Sequence, residues 1–294
     1  MTIQEYSQDF RILMDSDTTV LDDKELSRIK NDYFIVLVRG FLGNVGALLP
    51  GGYFRDHKKW LASLGIDAYI IDKIDDFDTE NDPSLNASAI KKLVEGIRKK
   101  HPEKKILFVT HSKGGIDVLT TLLEHSSLLK NDIGGWIALQ APFEGTTLAD
   151  IVTSTSISRL VVNAALENLL SGSKNSLGSL RTDVRKAVMQ ASFTKIEDIA
   201  QQIPVLTFGS AFDSYNRGVL TVTMLFQNDP NDGVVPLNGT LLKKNEAPLC
   251  SYIKAKPIDH LETVNNIDSF FQPKFDRQRF LNVLLKLWLE SDTH

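Results

Sequence analysis

The chain has 294 residues, 42% of them hydrophobic and 24% charged, a single cysteine and a formal net charge of −4. This is the balance of an ordinary folded globule, and the length suffices to bury a large core without disulfides or metals. No broad positive field exists to hold nucleic acid, and no stretch approaches the roughly 18 uncharged apolar residues of a membrane span.

Residues 1–30 precede the first apolar run and read as a helical or loose N-terminal extension. Short runs rich in β-branched and aromatic residues follow at Tyr33–Val38 and Ala68–Ile71, and both read as buried strands. Ile90, Leu93, Val94 and Ile97 then share a helix face that ends near His101-Pro102, because the residue before proline avoids the helical region. A third strand is expected at Ile106–Thr110, and a helix after it with Ile116, Leu119, Leu122 and Leu123 on one face. Trp136–Leu139, Val205–Phe208 and Tyr252–Ala255 complete the strands. Phe275–Leu289 closes the chain as a helix burying Phe280, Leu284, Leu287 and Trp288. Continuous apolar runs suit strands covered on both faces, and strands alternating with helices mean a parallel sheet.

Residues 143–203 break this rhythm. Ile157, Leu160, Val161, Ala164, Ala165 and Leu169 follow helical spacing, and Ser171–Ser179 is rich in Ser and Gly. A structureless loop of that length is uncommon in a compact domain, so a helical cap or lid hinged at Ser171–Ser179 is expected. The core is then formed by residues 31–142 and 204–294.

The chemistry starts where the third strand meets its helix, at Thr110-His111-Ser112-Lys113-Gly114-Gly115. A serine hydroxyl is a weak nucleophile that needs an adjacent base, and a sharp strand-to-helix turn holds its oxygen clear of the sheet. His111 and Gly114 belong to this turn. The helix N-terminus favours developing negative charge, and it aims the backbone N–H of Lys113 at the same point. Small residues two before and two after the serine allow such a turn; Gly114 meets this and Thr110 departs from it. The bland reading of Ser112 is a helix cap.

With these motifs the chain resembles the lipases and esterases of the α/β-hydrolase superfamily, most nearly the bacterial triacylglycerol lipases, over most of residues 33–265. The resemblance implies a mostly parallel sheet flanked by helices. It also implies an oxyanion loop at Val38-Arg39-Gly40-Phe41-Leu42-Gly43, with the backbone N–H of Phe41 as second donor. Arg39 stands where that family usually has histidine. Ala141-Pro142-Phe143-Glu144-Gly145-Thr146 has the shape of a further family segment.

In this fold the triad runs Ser, then acid, then His. His260, in Asp259-His260-Leu261-Glu262, is the expected base. Asp232, in Asn231-Asp232-Gly233-Val234-Val235-Pro236, is the expected acid, with Asp213 as the alternative. Glu262 occupies a position that binds calcium in some relatives, but one carboxylate is far short of the roughly six to eight oxygens calcium needs. Neither a metal nor a cofactor is expected. The expected substrate is a small-molecule or lipid ester, with interfacial lipid contact through the cap open. Thioesterase, acyltransferase, amidase and non-catalytic binding remain alternatives on the same fold. Glu5, Asp9, Arg11 and Asp15 interrupt any signal-like run, so a cytoplasmic location is expected, with signal-less secretion open. The oligomeric state has no signature.

Overall fold

The computed structural model describes residues 2–41, 52–71, 77–154, 174–212, 229–264 and 275–292. The apolar runs form strands β1 (Tyr33–Val38), β2 (Ala68–Ile71), β3 (Lys105–His111), β4 (Ile133–Leu139) and β5 (Val205–Ser210). A small antiparallel pair, β6 (Lys243–Lys244) and β7 (Ala247–Pro248), precedes β8 (Ser251–Ala255). Six of these make one parallel sheet in the order β2-β1-β3-β4-β5-β8. β1 and β2 coincide with their expected bounds, whereas β3 and β4 are longer.

Strand side chains alternate between faces, and both faces are apolar here. Val36, Val38, Ile106, Phe108, Trp136 and Ala138 bury into one layer. Ile35, Leu37, Leu107, Val109, Ile137 and Leu139 bury into the other. This is why the runs read as continuous instead of alternating.

The helices are α1 (Ser7–Asp15), α2 (Asp23–Asp32), α3 (Arg55–Ser63), α4 (Pro83–Lys100), α5 (Lys113–Glu124), α6 (Ser127–Asn131), α7 (Thr147–Thr153), α8 (Lys174–Gly178), α9 (Thr182–Ala191), α10 (Phe193–Gln202) and α11 (Arg277–Asp292). α4 starts at Pro83 because the Asp82 carboxylate accepts from Ser84 N at 3.0 Å and proline suits the first helical position. α11 starts two residues later than periodicity suggests. Asp276 Oδ1 accepts from Gln278 N at 3.1 Å and from Arg279 N at 2.9 Å, so Asp276 caps the helix from outside.

The first layer is covered by α4, α5 and α10, through Ile90, Val94, Ile116, Leu119, Ile196 and Ile199. The second is covered by α1, α2, α3 and α11, where Phe10, Phe208 and Phe280 pack with ring centroids 5.1–5.9 Å apart. The N-terminal residues extend the sheet edge: Tyr6 N donates to Tyr252 O at 2.9 Å and Tyr252 N to Gln4 O at 3.0 Å.

Between β4 and β5 the described residues include α7, α8, α9 and α10, and α10 lies in the helix layer on the sheet. Residues 174–178 of the expected hinge form α8. The apolar stripe expected at Ile157–Leu169 lies outside the described residues. Among those described, no helix is long and apolar enough to cross a membrane. Cys250 is buried, which pushes its thiol up to about 12.

Candidate active site

β3 delivers Ser112 at the top of the sheet with φ 54° and ψ −131°, a left-side backbone conformation that is rare for a residue with a side chain. The tight turn lays the start of α5 on the end of β1: a Cβ at Gly114 would meet Val38 O at 2.5 Å and Arg39 O at 2.8 Å. That contact is made by backbone carbonyls, so it does not depend on the side chain at position 39. Thr110 is accommodated because its Oγ1 accepts from the Trp136 indole N–H at 2.9 Å, giving the larger residue a buried partner. Ser112 makes no side-chain cap to α5. Its Oγ lies instead 3.0 Å from His260 Nε2.

His260 Nδ1 lies 2.8 Å from Asp232 Oδ2, and all three side chains are almost fully buried. The acid is held from the other side: Asp232 Oδ1 accepts from Val234 N at 2.9 Å and from Val235 N at 2.7 Å, across a turn in which Gly233 has φ 95°. Backbone pairing joins the segments that carry Asp232 and His260, with His260 N donating to Asp232 O at 2.9 Å. The turn carrying His260 is closed by Asp259, whose Oδ1 accepts from Leu261 N and Glu262 N, while Asp259 N donates back to Glu262 Oε2 at 3.2 Å. Glu262, the position compared above with a calcium ligand, thus serves this turn. Among the described residues no cluster of three or more His, Cys, Asp or Glu side chains could hold a metal. The alternative acid, Asp213, lies outside the described residues.

The loop after β1 passes directly over the serine. A Cβ at Gly40 would meet Ser112 Cβ at 2.6 Å and His111 O at 2.9 Å, and Phe41 follows at once. Gly40→Ala must displace one of these segments, and a loss of about 1–3 kcal/mol of stability is expected, read by urea denaturation. From the other side comes the amide of Lys113, at the first position of α5, where backbone donors have no partner within the helix.

The Lys113 side chain is fully buried and turns down the helix, its ammonium 2.7 and 3.1 Å from the two oxygens of Asp117. Asn86 Nδ2 adds a 3.1 Å bond to the same carboxylate. Burial raises the Asp117 carboxyl above its ordinary range, opposed by the ammonium beside it. The i,i+4 spacing of Lys113 and Asp117 was visible in the sequence; Asn86, on another helix, carried no such signal.

Two more histidines stand behind the site. Burial, and then His260 nearby, hold His111 well below the ordinary imidazole value. Burial, and then Arg277, push His57 down to about 3. In the unfolded chain both protonate near pH 6.5, so below that pH the unfolded state binds more protons than the folded one. The folded state therefore loses about 1.4 kcal/mol per pH unit for each histidine from about pH 6.5 downward, to about 3 for His57. Above pH 6.5 neither contributes. Urea denaturation is expected to show stability falling between pH 7 and 5 and little change from 7 to 8, with a shallower fall in His57→Leu.

No protein-family model and no curated protein matches the chain. Solved structures do. It is similar to a metagenomic carboxyl esterase at 18% identity and a TM-score of 0.71, over 98% of this chain and 93% of that one. It is similar to a mature lipase of Bacillus licheniformis at 20% identity and 0.59, over 78% and 85%. EstA from Clostridium botulinum matches at 15% identity and 0.53, over 95% and 97%. The chain has the α/β-hydrolase fold.

Proposed function

We propose that this chain hydrolyses carboxylic esters through a covalent acyl-enzyme, with Ser112 as nucleophile, His260 as general base and acid, and Asp232 as the residue that orients the imidazole. One observation carries the reading: Ser112 Oγ, His260 and Asp232 stand in hydrogen-bonded sequence at 3.0 and 2.8 Å, with the serine on a strained strand-to-helix turn. The esterases and lipases that share the fold support the choice of ester as substrate class.

His260 Nε2 takes the proton of Ser112 Oγ as that oxygen bonds to the ester carbonyl carbon, and the carbonyl π electrons move to its oxygen. The backbone N–H groups of Phe41 and Lys113 receive the oxyanion, each contributing about 3 kcal/mol to the barrier reduction. The tetrahedral adduct collapses, the C–O bond to the alcohol breaks, and His260 gives its proton to the departing alkoxide. Water, deprotonated by His260, then attacks the acyl-enzyme; the returning proton restores Ser112. Asp232 holds the Nδ1 proton throughout and stabilises the imidazolium without taking the proton itself.

The test is labelling with a fluorophosphonate, the modified peptide being mapped by mass spectrometry. Labelling at Ser112 that disappears in His260→Ala supports an activated nucleophile, and a panel of esters of graded chain length then sets the acyl preference. Correctly folded protein that takes no label would sink the reading and favour a non-catalytic binding protein.

A further inference from the structure

Resting on the ester-hydrolase reading above, we propose that Tyr53, His111 and Gln140 are positioning residues: a buried hydrogen-bond relay in which the Tyr53 hydroxyl holds the oxyanion loop and Gln140 holds the base loop, both anchored on the His111 ring. None of the three reaches the reacting atoms, and the mechanism above does not use them.

The direction of every bond in the relay follows from its ends. His111 Nε2 lies 2.8 Å from the backbone oxygen of His260, which can only accept, and 3.0 Å from Gln140 Oε1. Nε2 therefore carries the ring proton. With the imidazole neutral, Nδ1 is bare, so the Tyr53 hydroxyl, its hydrogen-bond partner, must donate to it. The phenol oxygen is left to accept, and it accepts from Gly40 N at 3.1 Å. Gln140 is oriented in the same way: its Nε2 donates to Asp259 O at 3.0 Å and to Ser210 Oγ at 2.6 Å, while Oε1 accepts from Thr263 Oγ1 at 2.8 Å.

The relay thus grips both sides of His260, at Asp259 and Thr263, and its own carbonyl. At the other end it fixes Gly40, which packs against Ser112 and precedes the Phe41 amide. Ser112 is covalently next to His111, so nucleophile, base loop and oxyanion loop all refer to one imidazole. Tyr53, His111 and Gln140 are buried, which makes each lost partner costly and the geometry single-valued.

Tyr53→Phe removes one oxygen and nothing else. The Gly40 amide loses its acceptor, and the Phe41 amide drifts from the place where charge develops. A drop in kcat of about 10- to 100-fold is expected, with KM changed by less than about twofold. The inhibition constant of a boronic acid, whose serine adduct carries the tetrahedral oxygen, is expected to rise by the factor that kcat/KM falls. A role in folding alone would leave that proportionality out. Nitrogen NMR of the His111 ring supplies a readout independent of turnover: a protonated Nε2 and a bare, hydrogen-bonded Nδ1 in the wild type support the relay. Unchanged kcat and inhibition in folded Tyr53→Phe, or an Nδ1-protonated ring, would overturn it. A wild type that takes no fluorophosphonate label overturns the ester-hydrolase reading instead, and the ring tautomer then decides the relay alone.

Discussion

Ser112→Ala is expected to fold normally and to lose about a million-fold in kcat toward any ester the wild type accepts. The size follows from the unit nature of the triad: without Oγ, His260 has no proton to take and no covalent intermediate forms. What remains is catalysis by the oxyanion donors and by substrate binding, roughly 10³- to 10⁴-fold over water. His260→Ala is expected to cost a similar factor, and the double variant little more than either one. Stability should fall by only about 1 kcal/mol in Ser112→Ala, from the lost bond to His260 Nε2, because alanine inherits the same positive φ of 54° and Ser112 makes no cap bond to α5 that could be lost. Ser112→Gly, free of that steric cost, is expected to be more stable by about 1 kcal/mol. Turnover of a short-chain ester, with urea denaturation in parallel, checks both halves. Activity in Ser112→Ala above a few per cent of wild type would remove the serine from the mechanism.

Asp232→Asn is expected to lower kcat by about 10⁴-fold while leaving the fold in place. Asp232 Oδ1 accepts two backbone amides and Oδ2 faces His260 Nδ1. An asparagine satisfies the two amides with its carbonyl oxygen, which turns its NH₂ toward the imidazole. His260 must then present a bare Nδ1 and carry its proton on Nε2, the atom that has to take the proton of Ser112. The ring is in place, in the wrong tautomer. Asp213→Asn serves as the comparison and is expected to change kcat only a few-fold. Should the larger loss follow from Asp213, the acid has been placed on the wrong loop.

Much of this was legible in the residues themselves. The apolar runs at 33–38, 68–71 and 106–110 announce strands through composition alone, and the helix faces follow from 3.6-residue spacing. Ser112 is singled out by its turn, and chain order together with the resemblance to the α/β-hydrolase lipases points to His260 and two aspartates. These signals are local, each confined to a few neighbours whose backbone preferences and periodicity decide it.

Tertiary structure alone decided the rest. Strand order, the acid facing His260 and the relay through Tyr53 all join residues far apart in the chain. His111 meets the carbonyl of His260 across 149 positions, and Gln140 meets Thr263 across 123. Tyr53 lies in a Gly-Gly-Tyr-Phe stretch with no periodic or motif signal, and it acquires a role only when the loop after β1 folds over the elbow. A hydrogen bond depends on two atoms meeting in space, and the sequence around either atom specifies only its own half of that meeting. The sequence by itself therefore determined most of the elements and singled out Ser112, with a serine, acid, histidine order for the proposed triad. Which buried groups complete the site was decided by packing, because only the assembled sheet brings their donors and acceptors within hydrogen-bonding distance of each other.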